Sequence, residues 1–245
     1  MLAFPAQTAT YFLFGTPLSI ISPWQWLTAL LLAGLAMAGA DAVIRLHPAL
    51  PSRSIAYVAT FWPLPGLLVL AATQTLGLAP NPTIWAVSLM SVGMLLWLTL
   101  IATFQQVSTG GNGWRWPYLW QQVLGYALAL IFFIIIYRTR SRSAISATTI
   151  ALVSSLIALA LLRQNQKIAK TWLFALVVGL SLGQMTWALN YWRINAVTAG
   201  LLLLLVFYVL IGLAQQQLLG RLSRRAVWEF GSVTVVALLL IFSYT

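Results

Sequence analysis

Apolar runs of about 20 residues, separated by short polar breaks, occupy most of this 245-residue chain. A helix of about 20 residues rises about 30 Å, which is the thickness of a membrane's hydrocarbon core. Charged residues make up 6% of the chain, against about 25% in soluble domains. We therefore predict an all-α fold: a polytopic membrane helix bundle with short loops, forming one domain over residues 1–245. Its eight expected spans lie near 24–44, 54–77, 83–104, 117–137, 143–162, 171–191, 195–214 and 227–244.

The N-terminal segment, residues 1–22, is apolar but interrupted by Pro5, Gly15 and Pro17. No Lys or Arg precedes its apolar part, which is atypical of a signal peptide. We expect this segment to stay in the mature protein, either lying in the membrane interface or entering and leaving on one side.

Basic residues decide the expected orientation. The chain has 13 Lys and Arg residues and only two acids, and loops rich in Lys and Arg stay on the cytoplasmic side. If the first loop is inside, inside loops hold nine cations and outside loops four, which favours both termini outside. The four are Arg138, Arg140, Arg142 and Arg193.

A second topology has the same charge count. If the Ser- and Thr-rich run 143–162 entered the membrane and returned without crossing, and the N-terminus lay inside, the inside loops would again hold nine cations and the outside loops four. We favour a crossing because the run has spanning length and contains neither a charge nor a proline. Arg138, Arg140 and Arg142 then face outward, and we expect them to hold anionic lipid headgroups or an acidic partner.

Few side chains offer chemistry. Asp41 and Glu229 are the only acids, and each has an arginine four residues away on the same helix face, Arg45 and Arg225. Interfacial ion pairs explain both acids, although membrane carboxylates also relay protons or bind cations. The single histidine, His47, is expected at the interface, and the chain has no cysteine. We expect no catalytic, cofactor or metal site.

Two polar interruptions within the apolar runs are candidates for a substrate or ion pathway. In the stretch TFWPLPGLL, Pro63, Pro65 and Gly66 interrupt the second span, and broken helices expose backbone groups that transporters use to bind substrate. In the stretch GLSLGQMTWALN, Gln184 and Asn190 interrupt the sixth span, with Gln121 and Gln122 as expected partners. A proline kink and close helix packing are the simpler explanations.

Three classes of function are compatible with these features. We place first a non-catalytic membrane protein, an assembly factor, scaffold or subunit of a larger complex. The alternative is a permease or transporter for a small anionic or lipid-like substrate, using the break at Pro63–Gly66 and the Gln184 region. An intramembrane enzyme is third, because general acid–base groups are scarce. Expected partners are membrane lipids, including anionic headgroups, and other membrane proteins, but not nucleic acid. We expect a bacterial cytoplasmic membrane, with a thylakoid membrane as the alternative.

Overall fold

A computed structural model describes residues 8–13, 16–21, 23–48, 50, 54–76, 79–109, 115–139, 143–163, 168–192, 194–220 and 224–243. The order of elements is two short strands followed by helices, with a 3-10 turn (Ala59–Phe61) between the second and third helix. The elements are β1 (Thr8–Leu13), β2 (Thr16–Ile21), α1 (Pro23–Arg45), α2 (Ile55–Val58), α3 (Pro63–Leu76), α4 (Pro82–Thr109), α5 (Trp116–Arg138), α6 (Ser143–Leu161), α7 (Ile168–Asn190), α8 (Ala196–Leu218) and α9 (Arg224–Ser243).

The helices confirm the predicted polytopic membrane bundle. Seven helical segments of the described chain are long and apolar enough to cross a membrane, with α2, the 3-10 turn and α3 forming one of them. The eighth predicted span forms α9, whose described apolar stretch is the shorter Phe230–Leu239. The protein is therefore an integral multi-pass membrane protein of the all-α class.

The segment before α1 contains a β-hairpin. Strand β1 pairs antiparallel with β2 in a register that sets Thr8 opposite Ile21 and Leu13 opposite Thr16. This hairpin is the secondary structure of the segment that the sequence predicts to be interfacial or re-entrant. Its position relative to the membrane stays a prediction.

Contacts between helices show that successive segments run antiparallel. In the α6–α7 pair, Asn190 binds Ser146 at one end and Gly179 packs on Ser155 farther along. The rings of His47 and Phe104 meet where α1 and α4 both end. One end of the bundle therefore collects the C-terminal ends of α1, α4, α6 and α8 with the N-terminal ends of α2, α5, α7 and α9. We call it the basic end, because nine of the 13 Lys and Arg residues belong to its loops and helix ends.

Helix α6 bears on the choice between the two predicted topologies. It runs without interruption over 19 residues, which corresponds to about 28 Å, close to the hydrocarbon thickness. Antiparallel neighbours flank it on both sides: Gly125 of α5 packs on Leu161, and Asn190 of α7 binds Ser146. An uninterrupted helix of this length fits a crossing better than an entry and return on one side, and the crossing of residues 143–162 stays the prediction that we favour.

Close helix contacts hold the centre of the bundle together. The largest fully buried side chains include Phe133, Ile150, Ile157, Leu182 and Phe207, which come from α5, α6, α7 and α8. Lipid tails are as apolar as these side chains, so packing rather than hydrophobic exclusion drives association inside a membrane. Small residues in α6 and α7 serve that packing, because Gly179 and Gly183 rest against the backbone of α6.

Candidate functional site

Arg163, just beyond the end of α6, is the centre of a polar cluster at the basic end. Its Nη2 donates hydrogen bonds to the side-chain oxygens of Gln106 and Gln121, the latter at 2.5 Å. Its guanidinium carbon lies 3.8 Å from the centre of the Phe61 ring, within the range of a cation–π interaction. One half-buried arginine thus joins α4, α5, α6 and the 3-10 turn.

A second layer of hydrogen bonds fixes the two glutamines. The Gln121 Nε2 donates to Thr103 Oγ1 at 3.2 Å, and the Gln106 Nε2 donates to the Pro117 carbonyl oxygen at 3.1 Å. Thr103 in turn donates to the Thr99 carbonyl oxygen of its own helix at 2.6 Å. Both amide groups are therefore oriented with their oxygens toward Arg163.

The cluster carries a lasting positive charge. Burial lowers the pKa of Arg163 to about 10, and the nearby hydroxyls of Tyr57 and Tyr118 partly oppose that shift. A group with this pKa is protonated at neutral pH, and the C-terminal end of α6 favours a cation there. The described side chains that touch the guanidinium are neutral. This arrangement suits attraction of an anion, whereas proton transfer near neutral pH would need a lower pKa.

Asp41 forms the ion pair that its spacing from Arg45 predicts. The Asp41 Oδ2 accepts a hydrogen bond from Arg45 Nε at 2.7 Å. Its other oxygen, Oδ1, accepts one from the indole nitrogen of Trp62 at 3.1 Å, a contact that the sequence does not reveal. Asp41 therefore ties α1 to the start of α3. The side chain of Glu229, the other predicted acid, lies outside the described residues.

The second span is interrupted by the 3-10 turn Ala59–Phe61, directly before the predicted break, whereas Pro63, Pro65 and Gly66 are themselves helical. Pro63 is the first residue of α3 and Pro65 lies in its first turn, where backbone N–H groups have no intrahelical acceptor in any case. The Gly66 amide still donates to the Trp62 carbonyl oxygen at 3.2 Å, and Met37 packs over Gly66. Phe61, just before Pro63, connects this part of the chain to Arg163.

The Gln184 region lies away from these residues. Asn190, at the C-terminal end of α7, donates to Ser146 Oγ at 3.0 Å. Gln184 points outward from the bundle, and Gln121 binds Arg163 and Thr103 instead of Gln184. The structure therefore links Asp41 and the start of α3 to each other through Trp62, and pairs Asn190 with Ser146 elsewhere in the bundle.

The remaining predicted residues divide between surface and interior. Arg138 is exposed at the end of α5, whereas Arg140 and Arg142 lie outside the described residues. His47, just past the end of α1, packs within the bundle: its side chain is 4% exposed, and its ring lies 4.3 Å from that of Phe104.

Arg163 is not among the site residues that the sequence predicts, because its position at the end of an apolar run indicates only a loop cation. One signal was available. Arg163 follows an apolar run directly, and Gln106 and Gln121 lie at the matching ends of two neighbouring spans. A cation and two amides at equal depth are natural partners in an apolar bundle.

Comparison with known proteins gives a family. Residues 4–244 match the model of the family described as Protein of unknown function (DUF5656), and the chain belongs to that family. No curated protein and no solved structure matches the sequence.

Proposed function

We propose that this DUF5656 protein is a non-catalytic membrane component that binds other membrane proteins, as an assembly factor, scaffold or subunit of a complex. The observation that carries the proposal is the outward face of α4. This 28-residue helix is exposed along most of its N-terminal half. Val87, Met90, Met94 and Trp97 follow one another at spacings of three and four residues, and each is at least 60% exposed.

Trp97 distinguishes this face from an ordinary lipid-facing surface. It lies within about 3 Å of the midpoint of α4 along the helix axis, whereas tryptophans of membrane proteins favour the two interfaces. Among the described residues, its indole N–H has no acceptor. A neighbouring helix that offers a carbonyl or hydroxyl oxygen would satisfy it. The flexible side chains of Met90 and Met94 suit packing against such a helix.

Polar groups within the bundle support a structural role. Asn190 binds Ser146, Tyr137 donates to the Leu189 carbonyl oxygen, and Gln121 binds Thr103. Each of these hydrogen bonds joins two helices, so these polar groups hold the bundle together.

Purification in mild detergent tests the proposal. We expect the wild-type protein to bring down a membrane protein in stoichiometric amount, and Trp97→Leu to lose it. Trp85→Leu is the matched control, because Trp85 is an exposed tryptophan of the same helix near its end. Recovery of the wild-type protein without a partner would contradict the proposal, as would equal capture by Trp97→Leu and the wild type.

The Arg163 cluster favours a second candidate, a permease for a small anion. Its positive charge lies beside the helix break, through Phe61. Proteoliposomes loaded with buffer and offered phosphate, sulfate or a carboxylate should then take up one of them. Arg163→Gln should abolish uptake, and Arg163→Lys should retain part of it because the charge remains. Absence of uptake by the wild type would remove this candidate.

A further inference from the structure

Helix α7 has a second face whose side chains are exposed in the described chain. Its inner face packs on α6, whereas Leu173, Val177, Leu180, Gln184 and Trp187 point outward. Their spacings of four, three, four and three residues repeat the a and d pattern by which two helices pack along a common seam. The four apolar members are 47% to 60% exposed.

Gln184 is the unusual member of this outward face. It lies about 7.5 Å from the midpoint of α7 along the helix axis, well within the half-thickness of about 15 Å of the hydrocarbon core. Among the described residues its side-chain amide has no hydrogen-bond partner. An amide that faces lipid tails without a partner is strongly unfavourable. Neighbouring Ser181 avoids this by donating to the Val177 carbonyl oxygen of its own helix.

We propose that the outward face of α7 binds the same face of a second copy of this chain, forming a two-fold symmetric dimer. Copies of one chain share an orientation in the membrane, so Gln184 meets Gln184 of the second copy at equal depth. A primary amide is both donor and acceptor, and two of them facing across a two-fold axis form two reciprocal hydrogen bonds. Each Gln184 amide thereby gains the hydrogen-bond partner that it lacks in the single chain.

The symmetry of the seam supports a second copy over a different protein. Isologous contact requires a surface that complements itself. Apolar residues meet apolar residues, the seam carries no charge that would repel its own copy, and the one polar member pairs with itself. A single polar residue in such a seam also fixes the register of the two helices. Dimerisation through α7 does not depend on partner binding by α4, because the two surfaces lie on different helices.

Disulfide cross-linking in native membranes tests the dimer, because the chain has no cysteine of its own. Leu180→Cys places a thiol in the seam near the midpoint of α7. Leu152→Cys is the matched control: it is a leucine at the midpoint of α6, with 61% exposure against 54%. Under mild oxidation we expect Leu180→Cys to form a cross-linked dimer and Leu152→Cys to remain monomeric. Equal cross-linking at the two positions, or none at Leu180→Cys, would overturn the proposal.

Substitutions of Gln184 test the role of the amide. In the Leu180→Cys background, Gln184→Leu should weaken dimerisation about tenfold, as expected for loss of interhelical hydrogen bonds, and Gln184→Asn should retain most of it. Dilution of the purified protein in detergent, followed by fluorescence energy transfer between labelled copies, measures the change. Because the Gln184 side chain is exposed and has no hydrogen-bond partner among the described residues, neither variant should alter the monomer's unfolding temperature. Unchanged dimerisation in Gln184→Leu would refute the amide pairing.

Discussion

Adding one methyl group at the α6–α7 contact is the sharpest test of how this bundle is held together. Gly183 faces α6 so closely that a Cβ atom there would lie 3.0 Å from Ala151 Cβ and 3.1 Å from the Ala147 carbonyl oxygen. At Gly179 the added atom would be closer still to the Ala151 carbonyl oxygen and the Ser155 hydroxyl. Gly34, on the outward face of α1, has no atom within 4 Å of the same position.

The magnitude follows from these distances. Carbon atoms pack best at about 3.5–4.0 Å, so Gly183→Ala must move α6 and α7 apart by about 0.5–1 Å, a gap that loses a quarter to a half of each contact's attraction. Overpacking of this kind costs about 1–3 kcal/mol, while Gly→Ala within a helix gains about 0.5–1 kcal/mol. We expect a net loss of about 1 kcal/mol for Gly183→Ala and about 2 kcal/mol for Gly179→Ala. Gly34→Ala should be neutral or slightly stabilising.

Unfolding by sodium dodecyl sulfate in mixed micelles, followed by the fluorescence of the 12 tryptophans, measures these differences. The informative result is the order of stability: Gly34→Ala above Gly183→Ala, and Gly183→Ala above Gly179→Ala. If Gly179→Ala unfolds at the same detergent fraction as Gly34→Ala, close α6–α7 packing is not what stabilises the bundle.

Two further substitutions probe the basic end. Arg163→Met removes the bonds to Gln106 and Gln121 and should destabilise the bundle by about 2–3 kcal/mol, the cost of leaving buried polar groups unpaired; a thermal unfolding curve matching the wild type would show that the cluster is not structural. With its pKa lowered to about 10, Arg163 is charged near neutral pH in both the folded and the unfolded chain, so its contribution to stability should not change with pH below about 10. Above about pH 10 the folded protein releases this proton while the unfolded chain still holds it, so stability should rise with pH. Asp41→Asn keeps the shape of the side chain but removes the charge that binds Arg45 and Trp62. It should lower the free energy of unfolding by about 1 kcal/mol, which the same unfolding curve measures. Abolished partner binding or anion uptake in this variant, while it stays folded, would indicate a direct role for the carboxylate.

Properties that depend on the length and polarity of a segment could be predicted from the sequence. The spans of α1 and α3–α8 follow from apolar length, and the Asp41–Arg45 pair follows from helical spacing. The packing of Gly179 and Gly183 follows from the spacing of small residues, which lets two membrane helices approach. Each of these features is local, so neighbouring residues along the chain suffice to identify it.

Features that depend on which helices become neighbours could not be predicted. Gln121 was expected to meet Gln184, but the antiparallel order places it beside Arg163 and Thr103. The Trp62–Asp41 bond joins residues 21 positions apart. In an apolar bundle the inner and outer faces of a helix have similar hydrophobicity, so the sequence does not show which face of α7 points outward. The outward direction of Gln184 could therefore not be predicted.

A crossing of the membrane by α6 would separate the basic end from the opposite end, and this crossing can be measured directly. Two single cysteines in the cysteine-free chain test it, Thr139→Cys before α6 and Asn165→Cys after it. Labelling intact cells with a membrane-impermeant maleimide should modify Thr139→Cys alone, while Asn165→Cys should react only after the membrane is opened. Modification of both residues from one side would contradict the crossing. Labelling of Asn165→Cys alone from outside would reverse the orientation.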